Sequence, residues 1–232
     1  MEEGGEPLEV ETIIFDFDGT LAHLNIDFSE MRRRIGSLFP AFGLDPNLME
    51  GRYILEGIEA GVQSLKERGE EPTLFEERAE EILLSLEGEA AEESYLLPGI
   101  PGALSQLKSK GLRLGIITRN SSLAVNRVLS KGHLAYDVLL SREDMGRSQV
   151  KPCPAHLWKA LQMLEGTPEA SLMVGDHPLD IRVAKRVGTY SAGVLTGRHQ
   201  ARDFEEEGAD LILDSVEGLP CLFDSHSLEV RS

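Results

Sequence analysis

Thr12-Ile13-Ile14-Phe15-Asp16-Phe17-Asp18-Gly19-Thr20-Leu21 is the stretch on which the reading of this chain turns. An apolar run of high β-propensity, Thr12 to Phe15, ends in two carboxylates one residue apart, followed by Gly-Thr. A buried strand has little reason to carry two acids unless they emerge at its carboxyl end, where open α/β sheets place ligands. Residues two apart in a strand share a face, so Asp16 and Asp18 can converge while the backbone stays extended. Gly19 gives the freedom to turn immediately afterwards. Adjacent carboxylates repel unless a cation sits between them, and such hard oxygen ligands suit Mg²⁺. A turn followed by a helix N-cap would use the same residue types, but the hydrophobic strand before them favours a metal-dependent catalytic strand end.

Outward from this stretch the chain changes character twice. Residues 1–9 read as a loose acidic tail. From Ala22 to about Leu97 the periodicity is helical, with no convincing strand. Phe28, Met31, Ile35 and Leu38 fit one helical face that Pro40 and Gly43 interrupt. Ile54, Leu55, Ile58, Val62 and Leu65 mark a second helix that stops near Gly69. Thr73 and Glu76 have capping-box spacing after Pro72, and Ala79, Ile82, Leu83 and Leu86 continue a third apolar face. From Pro98 strand and helix signals alternate. Strands are expected over 112–118, 138–140, 171–175, 189–195 and 211–213, with helices at 103–107, 122–129, 154–164 and 181–187. Units of this length imply a doubly wound, Rossmann-like parallel sheet (fold class α/β), with an all-helical cap at 22–97 inserted into a core of 1–21 and 98–232. Residues after about Gly218 carry no pattern.

Three further polar positions track the strand ends. Thr118 closes Ile116-Ile117, Lys151 lies in Val150-Lys151-Pro152-Cys153-Pro154, and Asp176 ends Val174-Gly175, with Asp180 four residues on. In a parallel sheet these ends face one edge, so the groups can meet in one crevice. Taken alone, Thr118 is as readily a helix cap, with Asn120 and Ser121 as competitors, Lys151 a surface lysine, and Asp180 an acid in a helix first turn. Cys153 and Trp158 read as packing residues, and His177 as an incidental loop histidine.

Taken in order, Asp16-Phe17-Asp18-Gly19-Thr20, Thr118, Lys151 and Gly175-Asp176 with Asp180 resemble the four signatures of the haloacid dehalogenase superfamily, over about Val10 to Asp214. The helical block matches that family's cap, and Gly193-Val194-Leu195-Thr196-Gly197 is similar to its phosphoglycolate-phosphatase-like members. The resemblance implies hydrolysis of a small phosphate monoester. Asp16 would be the nucleophile that becomes an aspartyl phosphate, and Asp18 the acid that protonates the leaving alcohol and then activates water. Thr118 would bond the transferring phosphoryl group, while Lys151 balances charge. It also implies Mg²⁺ held by the carboxylates of Asp16 and Asp176 and a backbone carbonyl of Asp18, with Asp180 orienting Asp176 or a metal-bound water. One departure is visible: the family often has Asn directly after the motif threonine, whereas Arg119 precedes Asn120 here.

Composition narrows the alternatives. The net charge of −17 over 232 residues disfavours nucleic acid and anionic membranes as partners. Residues 22–97 hold 7 basic and 17 acidic side chains, so basic groups such as Arg32, Arg33, Arg34 and Arg52 are the candidates to receive an anion there. Three consecutive arginines cannot all share one helical face. Two cysteines give no disulfide framework, no apolar run is long enough to span a bilayer, and the acidic start is unlike a signal peptide, so the expectation is a cytoplasmic protein. The expected partner is a small phosphorylated metabolite, phosphoglycolate by resemblance, with monomer and homodimer both open. A phosphomutase on the same scaffold and a catalytically silent binding protein are the competing functions. A dehalogenase is disfavoured, because it would lack the second aspartate.

Overall fold

The computed structural model describes residues 8–224 and 227–228. Its strands are β1 (Leu8–Glu9), β2 (Thr12–Phe15), β3 (Ala22–His23), β4 (Tyr95–Leu96), β5 (Arg113–Ile117), β6 (Val138–Leu140), β7 (Ser171–Gly175), β8 (Tyr190–Val194), β9 (Leu211–Leu213), β10 (Phe223–Asp224) and β11 (Ser227–Leu228). Its helices are α1 (Phe28–Ala41), α2 (Ile54–Glu67), α3 (Thr73–Glu93), α4 (Ile100–Ser109), α5 (Ser122–Leu129), α6 (Arg142–Met145), α7 (Pro154–Met163), α8 (Pro178–Val187) and α9 (Ala201–Glu206).

Six strands form one sheet in the order β6-β5-β2-β7-β8-β9, and every pairing in it is parallel. The period-2 alternation of β2 shows why it is central. Ile13 and Phe15 pack with Leu114, Ile116, Leu172 and Val174 on one side of the sheet, towards α4 and α5. Ile14 packs with Met173, Leu157, Leu161 and Val183 on the other, beneath α7 and α8. Each such side chain removed from water contributes about 1.5–3 kcal/mol, and no solvent-facing side is left for a polar residue. After β2 the chain adds β5 and β6 on one flank and returns to place β7 on the other. The strand order therefore reverses at β2, and a crevice opens there beyond the carboxyl ends.

The helical reading of 22–97 is met over 28–93 by α1, α2 and α3, with differences in detail. Asp27 caps α1, accepting from the N–H groups of Ser29 and Glu30, and the buried stripe is Met31, Ile35 and Phe39. Phe28, expected on that face, is exposed. The capping box at Thr73 does not form: Pro72 takes the cap position, and the Thr73 hydroxyl donates to Glu71. Two short strands were missed. β3 and β4 pair antiparallel, Ala22 with Leu96 and His23 with Tyr95, where the chain leaves the sheet for the helices and comes back. Two residues per strand are too few for an alternation to register.

Other expectations also change. Residues 8–9, read as part of a loose tail, pair as β1 with β11, while residues 1–7 lie outside the described residues. Residues after Gly218, without a pattern in sequence, include the end of a 3-10 segment at Val216–Leu222, then β10 and β11. Trp158 is about half exposed at 48 % rather than packed, because it falls on the outer face of α7. Among the described residues, no helix is long and apolar enough to cross a membrane.

Candidate active site

Asp16 and Asp176 follow directly on paired strands. Phe15 is in register with Val174, and the Asp16 N–H donates to the Val174 carbonyl at 2.8 Å, so the first residues beyond β2 and β7 come side by side. The chain then turns at once: Leu21 and Ala22 both donate to the Phe17 carbonyl, and Gly19 sits at φ +83°. A side chain at Gly19 would be strained by that φ and would collide with the Asp176 carboxylate. Gly197 presses on the same carboxylate from the β8 side. The Thr196 hydroxyl donates to the Gly19 carbonyl at 2.5 Å, tying the two loops together.

Lys151 reaches this point from the segment before α7. Its ammonium is almost fully buried and donates to Asp16 and, at 2.7 Å, to Asp180. Burial alone would pull the lysine down, but the charges of Asp16 and Asp180 outweigh it and hold the ammonium above the ordinary lysine range. Asp180 does double service. It is the third residue of α8, accepts from the His177 N–H to close a capping box, and receives Lys151 on its other oxygen. Burial raises its carboxyl. Burial, and then the charges of Asp16, Asp180 and Asp18, raise Asp176 well above the carboxylate range.

Asp18 stands apart from that cluster. Its carboxylate accepts from the Leu24 N–H at 2.8 Å, and burial lifts its pKa to about 7. Carboxylate oxygens of Asp16, Asp176 and Asp180 lie within 4.8 Å of one another, and Asp18 contributes no side-chain oxygen to the group. One lysine does not balance this many acids, and the raised carboxyls express that excess. The donor set is all oxygen, anionic and confined, which fits a small hard divalent cation.

The residues line a cavity of about 550 Å³, whose wall includes Asp16, Asp18, Lys151, Asp176 and Asp180. Thr118 is not on that wall. It is fully buried at the end of β5, and its hydroxyl accepts from the N–H and side-chain amide of Asn120. Arg119 and Asn120 line the cavity in its stead. Ser121, one of the competitors for the cap, is the residue that caps α5. Arg119 does not face open solvent; it pairs with Glu56 of α2 at 2.7 Å and lies over the Tyr53 ring. Of the three arginines in α1 and Arg52 before α2, the candidate anion receivers, only Arg32 reaches the cavity; Arg33 and Arg34 pair with Glu30.

Sequence reasoning missed several cavity residues. His177, set aside as incidental, packs edge-on between Tyr53 and His199, and burial holds its imidazole down at about 3. Glu87 of α3 and Arg142 of α6 form a buried pair on the wall. Glu87 left one trace in the sequence, being four residues beyond Leu83 and so on the apolar stripe of its helix.

A six-stranded parallel sheet that gathers carboxylates and a buried lysine at its switch point defines an α/β enzyme acting on a ligand beyond the strand ends. The model of the haloacid dehalogenase-like hydrolases matches residues 10–188, most of the chain, and the protein belongs to that family. It is 29% identical over 231 residues to pyrophosphatase PpaX of Bacillus anthracis, covering 94% of this chain and 98% of that one. It is 28% identical over 218 residues to phosphoglycolate phosphatase 1 of Pseudomonas aeruginosa, covering 90% and 78%. Among solved structures, a haloacid dehalogenase-like hydrolase from Bacteroides fragilis superposes with a TM-score of 0.67 at 23% identity, covering 90% of this chain and 99% of that one.

Proposed function

We propose that the protein hydrolyses a small phosphate compound carrying a second anionic group, with phosphoglycolate first among candidates and pyrophosphate next. The carrying observation is the pairing of two unlike carboxylates on one cavity: Asp16, held by the Lys151 ammonium, and Asp18, free of that lysine with a pKa of about 7. Such a division suits a nucleophile beside a general acid and base. Asp16 attacks phosphorus and forms an aspartyl phosphate. Asp18 delivers its proton to the leaving oxygen and then takes one from the water that cleaves the intermediate. Lys151 offsets negative charge on Asp16 and the phosphoryl oxygens. Mg²⁺, held by Asp16, Asp176 and the Asp18 carbonyl, would supply charge neutralisation at the phosphoryl group. Asp180 serves to orient Asp176 and Lys151.

The substrate class rests on the charges around the cavity. Lys151, Arg119 and Arg142 are each matched by carboxylates. Among the described residues, Arg32 and Arg198 have no carboxylate partner. Arg32 donates to the carbonyls of Met49 and Arg52, and Arg198 lies over the Phe28 ring, one helical turn from Arg32. Two unmatched cations on one wall favour a ligand with an anion beyond its phosphoryl group. The names of the two relatives agree with that chemistry. The helices of 28–93 act as the lid that selects it.

Phosphate release from phosphoglycolate, pyrophosphate and neutral-tailed phosphomonoesters, with and without Mg²⁺, tests this beside Asp16→Asn. Mg²⁺-dependent release that falls by roughly 10⁴-fold or more in the variant is the expected result. Release equal in wild type and variant would remove Asp16 from the chemistry. No release, with a stable phosphoenzyme, would make the protein a mutase, and no phosphoenzyme at all would make it a binder.

A further inference from the structure

We infer that Glu87, on the cavity wall, is a positioning residue that sets the loop Thr118–Ser121 and ties its shape to the seating of α3. The inference rests on the hydrolase reading for its kinetic consequence and on the structure alone for its physical basis.

The loop leaves β5 with Thr118, whose N–H still donates to the Leu140 carbonyl at 3.0 Å, and residues 119–121 have no sheet partner before α5 begins at Ser122. Its hydrogen bonds are supplied from two sides. From the core, Arg142 N–H donates to the Asn120 carbonyl at 3.1 Å, and the Arg142 guanidinium donates to the Arg119 carbonyl at 2.9 Å. From the helices, Glu87 accepts the Ser121 N–H at 3.0 Å. Glu87 and Arg142 also hold each other at 2.6 Å, 3% and 2% exposed, so the two grips close into one ring through the loop. Glu56 of α2 completes it by taking the Arg119 side chain. Every polar group that fixes Arg119, Asn120 and Ser121 from the helical side therefore comes from α2 or α3, and none of these bonds survives if those helices lift away.

A buried ion pair is a poor choice for stability alone, since two well-packed apolar side chains often serve equally well or better. What apolar residues cannot do is accept the Ser121 N–H. Arg119 and Asn120 stand on the cavity wall, and a displacement of about 1 Å in groups that position a reacting centre can cost roughly a hundredfold in rate. Seating α3 thus delivers the loop in its working shape. Lifting α3 removes Glu87 and lets the loop relax.

The test compares Glu87→Gln, the double variant Glu87→Met/Arg142→Met, and Glu59→Gln, which loosens the contact of α2 with Arg147 away from the loop. In the Mg²⁺-loaded enzyme, Glu87→Gln is expected to lower kcat about tenfold or more with KM within about threefold, and Glu59→Gln to leave kcat unchanged. The double variant is expected to regain the thermal midpoint lost in Glu87→Gln but not kcat. Recovery of kcat together with stability would overturn the inference, as would equal effects of Glu87→Gln and Glu59→Gln. Amide hydrogen exchange gives a readout that needs no turnover. The Ser121 amide is expected to be protected in wild type and to exchange at least tenfold faster in the double variant, while the Thr118 amide, bonded to Leu140, keeps its protection. Unchanged Ser121 protection sinks the positioning role even if the protein hydrolyses nothing. Changed protection without activity sinks only the hydrolase reading.

Discussion

Two regions of this protein bury charge, and they do so in opposite ways. At the strand ends, Asp16, Asp18, Asp176 and Asp180 crowd near one lysine that bonds only Asp16 and Asp180, and burial above all raises the carboxyls of Asp18, Asp176 and Asp180. At the seam of α2 and α3 with the core, Arg142 and Arg147 meet Glu59, Glu76, Glu80 and Glu87 at 2.6–3.3 Å. There burial works against the Arg142 charge, but Glu87 and Glu80 outweigh it and hold the guanidinium above its ordinary range. The first region is short of positive charge. The second is complete in itself. Six of the 17 acids of residues 22–97, Glu56, Glu59, Glu76, Glu80, Glu87 and Glu92, pair with arginines outside that stretch. Buried charge left unmatched marks the chemistry, and buried charge fully matched marks the joint.

Breaking the matched region carries the largest expected cost. Arg142→Met leaves Glu87 buried without its partner and is expected to lower unfolding free energy by about 3–5 kcal/mol in chemical denaturation. A loss no larger than that of a surface substitution would show that the seam is not what it looks like. The unmatched region should respond to addition instead of removal. Mg²⁺ at about 100 times its dissociation constant is expected to stabilise the folded protein by about 2.7 kcal/mol, seen as a higher thermal midpoint. Asp176→Asn should abolish that increment, and an equal increment in the variant would place the ion elsewhere.

A third way of burying a titratable group is to keep it neutral, and His156 shows it. Its imidazole is fully buried with Nε2 3.3 Å from the Leu140 carbonyl, and burial, then the Lys151 charge, hold its pKa down at about 3. Below pH 6.5 the unfolded chain takes up a proton that the folded chain refuses, so stability present above pH 6.5 is lost as pH falls towards 3. The slope is up to about 1.4 kcal/mol per pH unit. Denaturation midpoints of wild type and His156→Gln across that window should diverge with this sign, and parallel curves would count against it. At the other extreme, Glu30 on the surface of α1 is held down at about 2 by Arg33 and Arg34, yet it is open to solvent. Glu30→Gln is expected to leave the thermal midpoint within experimental scatter, because exposed pairs are screened.

The same contrast sets what was legible in the sequence. The strand-end carboxylates stand out because each is an acid directly following an apolar run, and the parallel sheet brings such positions to one edge whatever the details of packing. Ser122–Leu129, Val138–Leu140 and Leu211–Leu213 appear where their patterns put them for the same local reason. The seam was illegible. Glu87 shows itself only as an acid on an apolar stripe, and its partner Arg142 lies in a four-residue helix with no periodicity of its own. Pairing them needs the angle at which α3 meets the sheet, a tertiary quantity. Thr118 was legible by its place at the end of a strand, but its surroundings were not: its hydroxyl accepts from the Asn120 side chain, a contact no local pattern announces.

The ribbon of β3 and β4 has a consequence for how such a protein changes over time. Ala22 lies beside Leu96 and His23 beside Tyr95, so the chain returns to the sheet at the place where it left. From the standpoint of the sheet, residues 24–94 are the tip of one hairpin. Such a tip can be lengthened, shortened or exchanged for another without moving the register that sets Phe15 beside Val174 and brings Asp16 against Asp176. On the proposed reading, much of recognition and the reaction itself are written in separate parts of one gene, and a lineage can revise the first while it inherits the second.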